Sequence, residues 1–150
     1  MLIGMVAVEN ESALSTLFGH WPDFHDAELV TLTLSAPNHA NPSIEAEFEV
    51  AEMSSEVDAR GYFKDSQRAV AVLRFHNVAR VRLTDFARQN VLDGLELSNA
   101  GPQDYDPMWG KGPEARRKFV VSWVSSVGCE ANFLCDAIEV VSARVAPRTS

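Results

Sequence analysis

Residues 43–50 alternate without a break: Ile44, Ala46, Phe48 and Val50 are apolar, while Glu45, Glu47 and Glu49 are charged. A period of two belongs to a β-strand with one face in a core and one in water, because successive side chains leave opposite sides of the pleat. A helix would scatter the same residues around its circumference. The chain must therefore build a sheet that is covered on one side here, which favours antiparallel pairing.

Other segments extend this pattern. Residues 28–34 read as a strand, with Val30, Leu32 and Leu34 on one face and Leu29, Thr31 and Thr33 on the other. Residues 68–76 set Val70 and Val72 against Ala69, Ala71, Leu73 and Phe75, apolar on both sides, and so predict a central strand. Residues 78–83 alternate with Arg80 and Arg82 outward, and a corner at 84–90 leads to a strand near 91–97. Two closing strands, 119–125 and 131–145, join around Gly128 as a hairpin. Residues 51–67 read as a polar loop with a short strand near 61–63, and 99–112 as the longest loop. At the front, 2–8 is a short strand or apolar lead-in, and 9–19 a short helix. Asn10 or Ser12 caps that helix, acidic residues sit in its first turn, Leu14, Leu17 and Phe18 face inward, and Gly19 ends it. One helix followed by six or seven strands predicts a single α+β domain over residues 1–150. It is mainly an antiparallel β-sheet, curled or sandwiched, with a short N-terminal helix.

Charge narrows the partner. Residues 1–59 hold 11 acidic side chains and no Lys or Arg; residues 60–118 hold 11 basic and 7 acidic, and the net charge is −8. An acidic N-terminal portion repels phosphate, so nucleic acid is not expected as a ligand. A basic partner is the electrostatic complement, since opposite fields speed encounter. No apolar run approaches the roughly 20 residues of a membrane helix, and the opening residues lack the basic flank of an export signal. Cys129 and Cys135 are too few for a disulfide scaffold. In one strand they would stand about 20 Å apart, so two buried thiols in a reducing, cytoplasmic setting are expected.

Chemistry finds little support. His25, Asp26 and Glu28 are metal-ligand types, but in extended geometry His25 and Asp26 diverge, and only Asp26 and Glu28 align. No HExxH, paired CxxC or EF-hand spacing accompanies them. The alternative is structural: His25 and Asp26 bond the backbone of the Gly19-His-Trp-Pro22 turn at the mouth of the first strand, with Trp21 and Phe24 under the helix. No GxSxG elbow or phosphate loop is present. The residues left for recognition are Glu45, Glu47 and Glu49, about 7 Å apart on one strand face, and Tyr105 and Trp109 in the long loop. Arg80 and Arg82 as cross-strand neighbours of the glutamates would make that row an ordinary solvated face. A pocket between the sheet, the Trp21–His25 turn and the 99–112 loop would instead suit a small molecule or peptide.

The chain resembles the Immunity protein 50 family of bacterial polymorphic-toxin systems. Four segments carry the likeness: Phe18-Gly-His-Trp-Pro-Asp-Phe-His-Asp-Ala-Glu-Leu29, Leu73-Arg-Phe75, Phe86-x-x-Gln89-Asn90-Val-Leu92 and Phe133-x-Cys135-x-x-Ile138-x-Val140. The resemblance implies a small cytoplasmic protein that neutralises a cognate toxin, with no cofactor and no catalytic residues. Trp21, Phe24, His25, Asp26, Gln89 and Asn90 are then structural, and the chain acts as a monomer or homodimer.

Overall fold

The computed structural model describes residues 2–3, 6–57, 59–60, 63–106 and 115–146. Two short strands, β1 (Leu2–Ile3) and β2 (Val6–Ala7), pair with each other and lead into helix α1 (Ser12–Phe18). Eight strands follow: β3 (Glu28–Ser35), β4 (Ser43–Val57), β5 (Phe63–His76), β6 (Ala79–Thr84), β7 (Val91–Asn99), β8 (Phe119–Val127), β9 (Glu130–Cys135) and β10 (Ala137–Val145). They form one antiparallel sheet in the order β10-β5-β4-β3-β7-β8-β9-β6. The expected α+β class, a sheet with a short N-terminal helix, is what the chain adopts.

The sheet folds over because it is narrow in the middle and bent at its corners. β3 and β7 share a single pair, Glu28 opposite Val91. Near the edges, β5 passes into β6 through Asn77, which has a positive φ of 54°, and β9 passes into β10 through Asp136. Asn77 Nδ2 donates to Asp136 Oδ2 at 2.6 Å, tying the two corners together. The result brings the faces of β10-β5-β4-β3 and β7-β8-β9-β6 together. Phe48 on β4 meets Trp123 on β8 edge-on at 5.6 Å, and Phe75 on β5 meets Phe133 on β9 at 5.0 Å. Each such pair adds about 0.5–1.5 kcal/mol beyond area burial. Ile44, Ala46, Phe48 and Val50 are all buried between the halves, as their alternation requires.

Several local expectations change. The 131–145 run is two strands, not one, because the corner at Asp136 sends β10 into the other half of the sheet. Residues 51–57 and 63–67 are strand rather than loop: β4 and β5 form a long hairpin whose backbone pairing needs no apolar pattern to signal it. On β3 the face assignment fails at two residues, Leu29 and Val30. Leu29 pairs with Phe48 and Thr31 with Glu47, so Val30 is the extra residue of a bulge. The bulge resets parity: Leu29 is buried, Val30 is exposed, and Leu32 still packs on the core. The helix starts at Ser12 with Glu11 in the capping position and no side-chain cap, and no acidic residue lies in its first turn. Asn10 Nδ2 instead donates to Val140 O on β10. Gly19 ends the helix at φ 80°, as expected.

Candidate partner-binding face

The outer surface of β10-β5-β4-β3 carries the glutamate row, and strand register fixes each neighbour. Glu45 sits between Thr33 and Arg74, Glu47 between Thr31 and Val72, and Glu49 between Glu28 and Val70. Arg80 and Arg82 are not among them, because β6 lies at the far end of the strand order. Arg74 takes that place. Its Nη2 and Nε donate to Glu45 Oε2 at 2.6 and 3.1 Å. Arg74 Nη1 lies 4.0 Å from Glu139 Oε1, which also receives His76 Nε2 at 2.9 Å. These groups are between a quarter and two-fifths exposed, so each pair is worth about 1 kcal/mol at most.

Glu47 and Glu49 form no ion pair with a described residue. Glu49 is exposed and faces a second carboxylate, Glu28, directly across the β3–β4 ladder. Beside them lies a shallow depression of about 370 Å³, with Asp26, Glu28 and Glu49 in its lining and Arg68 and Arg144 also contributing. Arg74, Glu139 and Arg144 did not stand out in the sequence as neighbours of this row, because their grouping depends on register between strands far apart in the chain.

The Trp21–Glu28 segment is a folded turn, and the parity expected for His25 and Asp26 does not apply. Phe24 and Asp26 both have positive φ, 64° and 62°. Asp23 Oδ1 accepts from the His25 backbone N–H at 2.8 Å, and His25 Nδ1 donates to the Asp93 carbonyl of β7 at 2.8 Å. His25 Nε2 and Asp26 Oδ2 approach to 3.6 Å instead of diverging. The Asp93 carbonyl, then the Asp26 carboxylate, raise the His25 pKa above its ordinary value. His25 thus anchors to β7 rather than to the Gly19–Pro22 turn. Phe24 is buried against Phe48 and Trp21, with ring centroids 5.4 and 5.7 Å away. Among the described residues, no three His, Cys, Asp or Glu side chains gather as a metal-ligand set.

Asn90 is buried at the centre of the second corner. Its Oδ1 accepts from the backbone N–H groups of Ala87 and Cys129, and its Nδ2 donates to Ala87 O, all at 2.9 Å. Gln89 is exposed, and its carbonyl lies where a Cβ on Gly128 would stand. In the long loop, Tyr105 bridges Arg116, and Asp106 N–H donates to Ala115 O at 2.6 Å, so the two chain segments meet as a short stem. Arg117, almost fully buried, lies 3.5 Å from Asp106 and donates to Asn77 O at 2.8 Å. Trp109 lies outside the described residues. A depression of about 420 Å³ does open beside Trp21, Pro22 and Asp23, but β7 residues 95–98 form its other wall and no described residue of the long loop lines it. Cys129 and Cys135 are free and buried, and burial pushes the Cys135 thiol up to about 12.

The sequence model of the family described as Immunity protein 50 matches residues 10–146. The chain belongs to the Immunity protein 50 family. No curated protein and no solved structure matches it. Of the residues that carry the Immunity protein 50 likeness, His25, Asp26, Phe86 and Gln89 are exposed, and most of the apolar ones are buried. Phe24, Leu29, Leu73, Phe75, Leu92, Phe133, Cys135, Ile138 and Val140 are buried core, and Asn90 is a buried corner. What they specify is the folded-over sheet. The glutamate row lies outside those segments, so membership supplies the fold and the immunity-protein class without supplying a binding face.

Proposed function

We propose that this protein neutralises a cognate bacterial toxin by binding it, without catalysis, from the cytoplasm of the cell it protects. The observation that carries this reading is the match to the Immunity protein 50 family over residues 10–146. The contact surface we assign to the toxin is the outer face of β10-β5-β4-β3. The sheet presents Glu47 and Glu49 there with no ion pair to a described residue, next to Glu28, and a preformed surface avoids the ordering cost of binding. A basic toxin is the natural complement, because like-charged carboxylates held in place lose their mutual repulsion when a cation arrives.

The decisive experiment pairs the chain with the product of any toxin gene found next to its own. Co-expression should restore growth, and the purified proteins should associate with a rate that falls steeply as salt rises from 50 to about 500 mM. Growth arrest that persists despite soluble immunity protein would refute the function. Association at a rate indifferent to salt would refute the acidic face while leaving the function standing.

A further inference from the structure

Among the described residues, one of the two sheet edges gains a further partner and the other does not. Along β10, the N-terminal segment supplies the missing partner: Glu9 N–H donates to Ile138 O at 2.8 Å and Val140 N–H donates to Glu9 O at 2.9 Å. β6, at the opposite edge, pairs only with β9 among the described residues. An edge strand with an unpaired side is a template for another chain, and proteins commonly discourage this with charge or a bulge. β6 has both, with Arg80 and Arg82 outward and a pairing irregularity between Ala79 and Arg82, where Arg80 takes φ 51°. The bulge is confined to the first half, and Arg82, Leu83 and Thr84 pair with β9 in regular register.

Next to this edge lies an open groove of about 400 Å³ between the start of β6 and the 34–44 hairpin end. Leu34, Pro42, Ile44, Val78 and Val81 give it apolar walls, Arg80 stands at its side, and Asp106, which lies 3.5 Å from Arg117, also lines it. Leu34 is 55% exposed, so its side chain is available within the groove. Arg80 and Arg82 make no ion pair with a described residue, in contrast to Arg74 and Arg117, which do.

We propose that this groove and the β6 edge together form a docking site for an extended, acidic segment of a partner protein. The segment lays one apolar side chain in the groove, sets carboxylates against Arg80 and Arg82, and takes backbone hydrogen bonds from the regular half of β6. This is strand addition, in which the edge supplies affinity and the pocket supplies selectivity. The charge is opposite to that of the glutamate face, so one ligand cannot satisfy both surfaces. The site does not depend on the toxin-binding role: loss of toxin binding in glutamate-face variants leaves it intact.

Three synthetic probe pentapeptides test it against the full chain by amide NMR: Glu-Leu-Glu-Val-Glu, Lys-Leu-Lys-Val-Lys and Glu-Ser-Glu-Ser-Glu. The first should shift the amides of residues 34–44 and 78–84, while the other two bind at least tenfold more weakly. Arg80→Glu with Arg82→Glu should weaken the first peptide at least tenfold with the thermal melt unchanged, and Val81→Ser should do so separately through the groove. No shift at millimolar peptide, or equal binding of all three peptides, overturns the proposal. Concentration-dependent shifts of the same amides without peptide would also overturn it, by making a second copy of the chain the occupant.

Discussion

Arg74 Nη2 donates a 2.6 Å hydrogen bond to Glu45 Oε2, and this contact divides the glutamate row of β4. Glu45 is neutralised within the protein; Glu47 and Glu49, on the same face, are left to solvent or a partner. The three residues are equivalent in the sequence alternation and unequal in the sheet. Glu47→Lys together with Glu49→Lys should therefore slow toxin association about tenfold or more at low salt. Glu45→Gln should change the rate much less. Stopped-flow rates at two ionic strengths check this, and an unchanged rate for the double variant would remove the face from consideration.

The same face sets two carboxylates against each other. Glu28 and Glu49 are directly opposite on β3 and β4, and like charges so placed are destabilising. Glu28→Gln should raise the unfolding free energy by roughly 0.2–1 kcal/mol, read as a higher urea midpoint with an unchanged slope. If the carboxylate pair serves binding, the same substitution should weaken toxin capture while stabilising the protein. A lower midpoint would mean that Glu28 is held by a cation across the neighbouring depression.

The corner around Asn90 should be far less tolerant. Asn90→Ala leaves the Ala87 and Cys129 N–H groups without their acceptor, at about 1–3 kcal/mol for the buried Cys129 group and less for Ala87, which water can reach. Gly128→Ala meets two obstacles: φ is +83°, and a Cβ would stand 2.4 Å from both Asn90 Oδ1 and the Gln89 carbonyl. Both variants should unfold at markedly lower urea than wild type, and the two losses should not add, because they damage one contact. Additive losses in the double variant would show two independent sites.

The fate of these residues shows what one sequence can disclose. Alternation at 43–50 revealed the buried face of β4, because that signal is local and depends only on the pleat. It gave no sign that Arg74 would be the cation beside Glu45, nor that β6 with Arg80 and Arg82 would be carried to the far edge. Both follow from strand order, which is set by contacts between residues far apart in the chain. The bulge at Val30 is a similar case: one extra residue moves side chains across the sheet, and no residue type there announces it. Asn90 and Gly128 were visible as turn formers, but their mutual contact is a property of the fold. For the candidate binding face, the sequence offered the glutamates and register supplied their surroundings.

His25 provides the last test. Its Nδ1–H is fixed on the Asp93 carbonyl, and Asp26 approaches its other ring nitrogen, with Asp23 and Asp93 adding negative charge nearby. All of these favour the imidazolium, so the folded-state pKa lies above the ordinary value of 6.5. A histidine with a raised folded pKa stabilises the fold fully below pH 6.5, and that contribution is lost as pH climbs through the raised value. The stability difference between wild type and His25→Ala should therefore be larger at pH 5.5 than at pH 8.5. In an NMR titration of the ring proton, Asp26→Asn should lower the pKa only in part, since the Asp93 carbonyl is the larger cause and is untouched. A return to the ordinary value in Asp26→Asn would assign the whole effect to the carboxylate. A stability difference that grows with pH would reverse the sign and exclude the imidazolium as the favoured form.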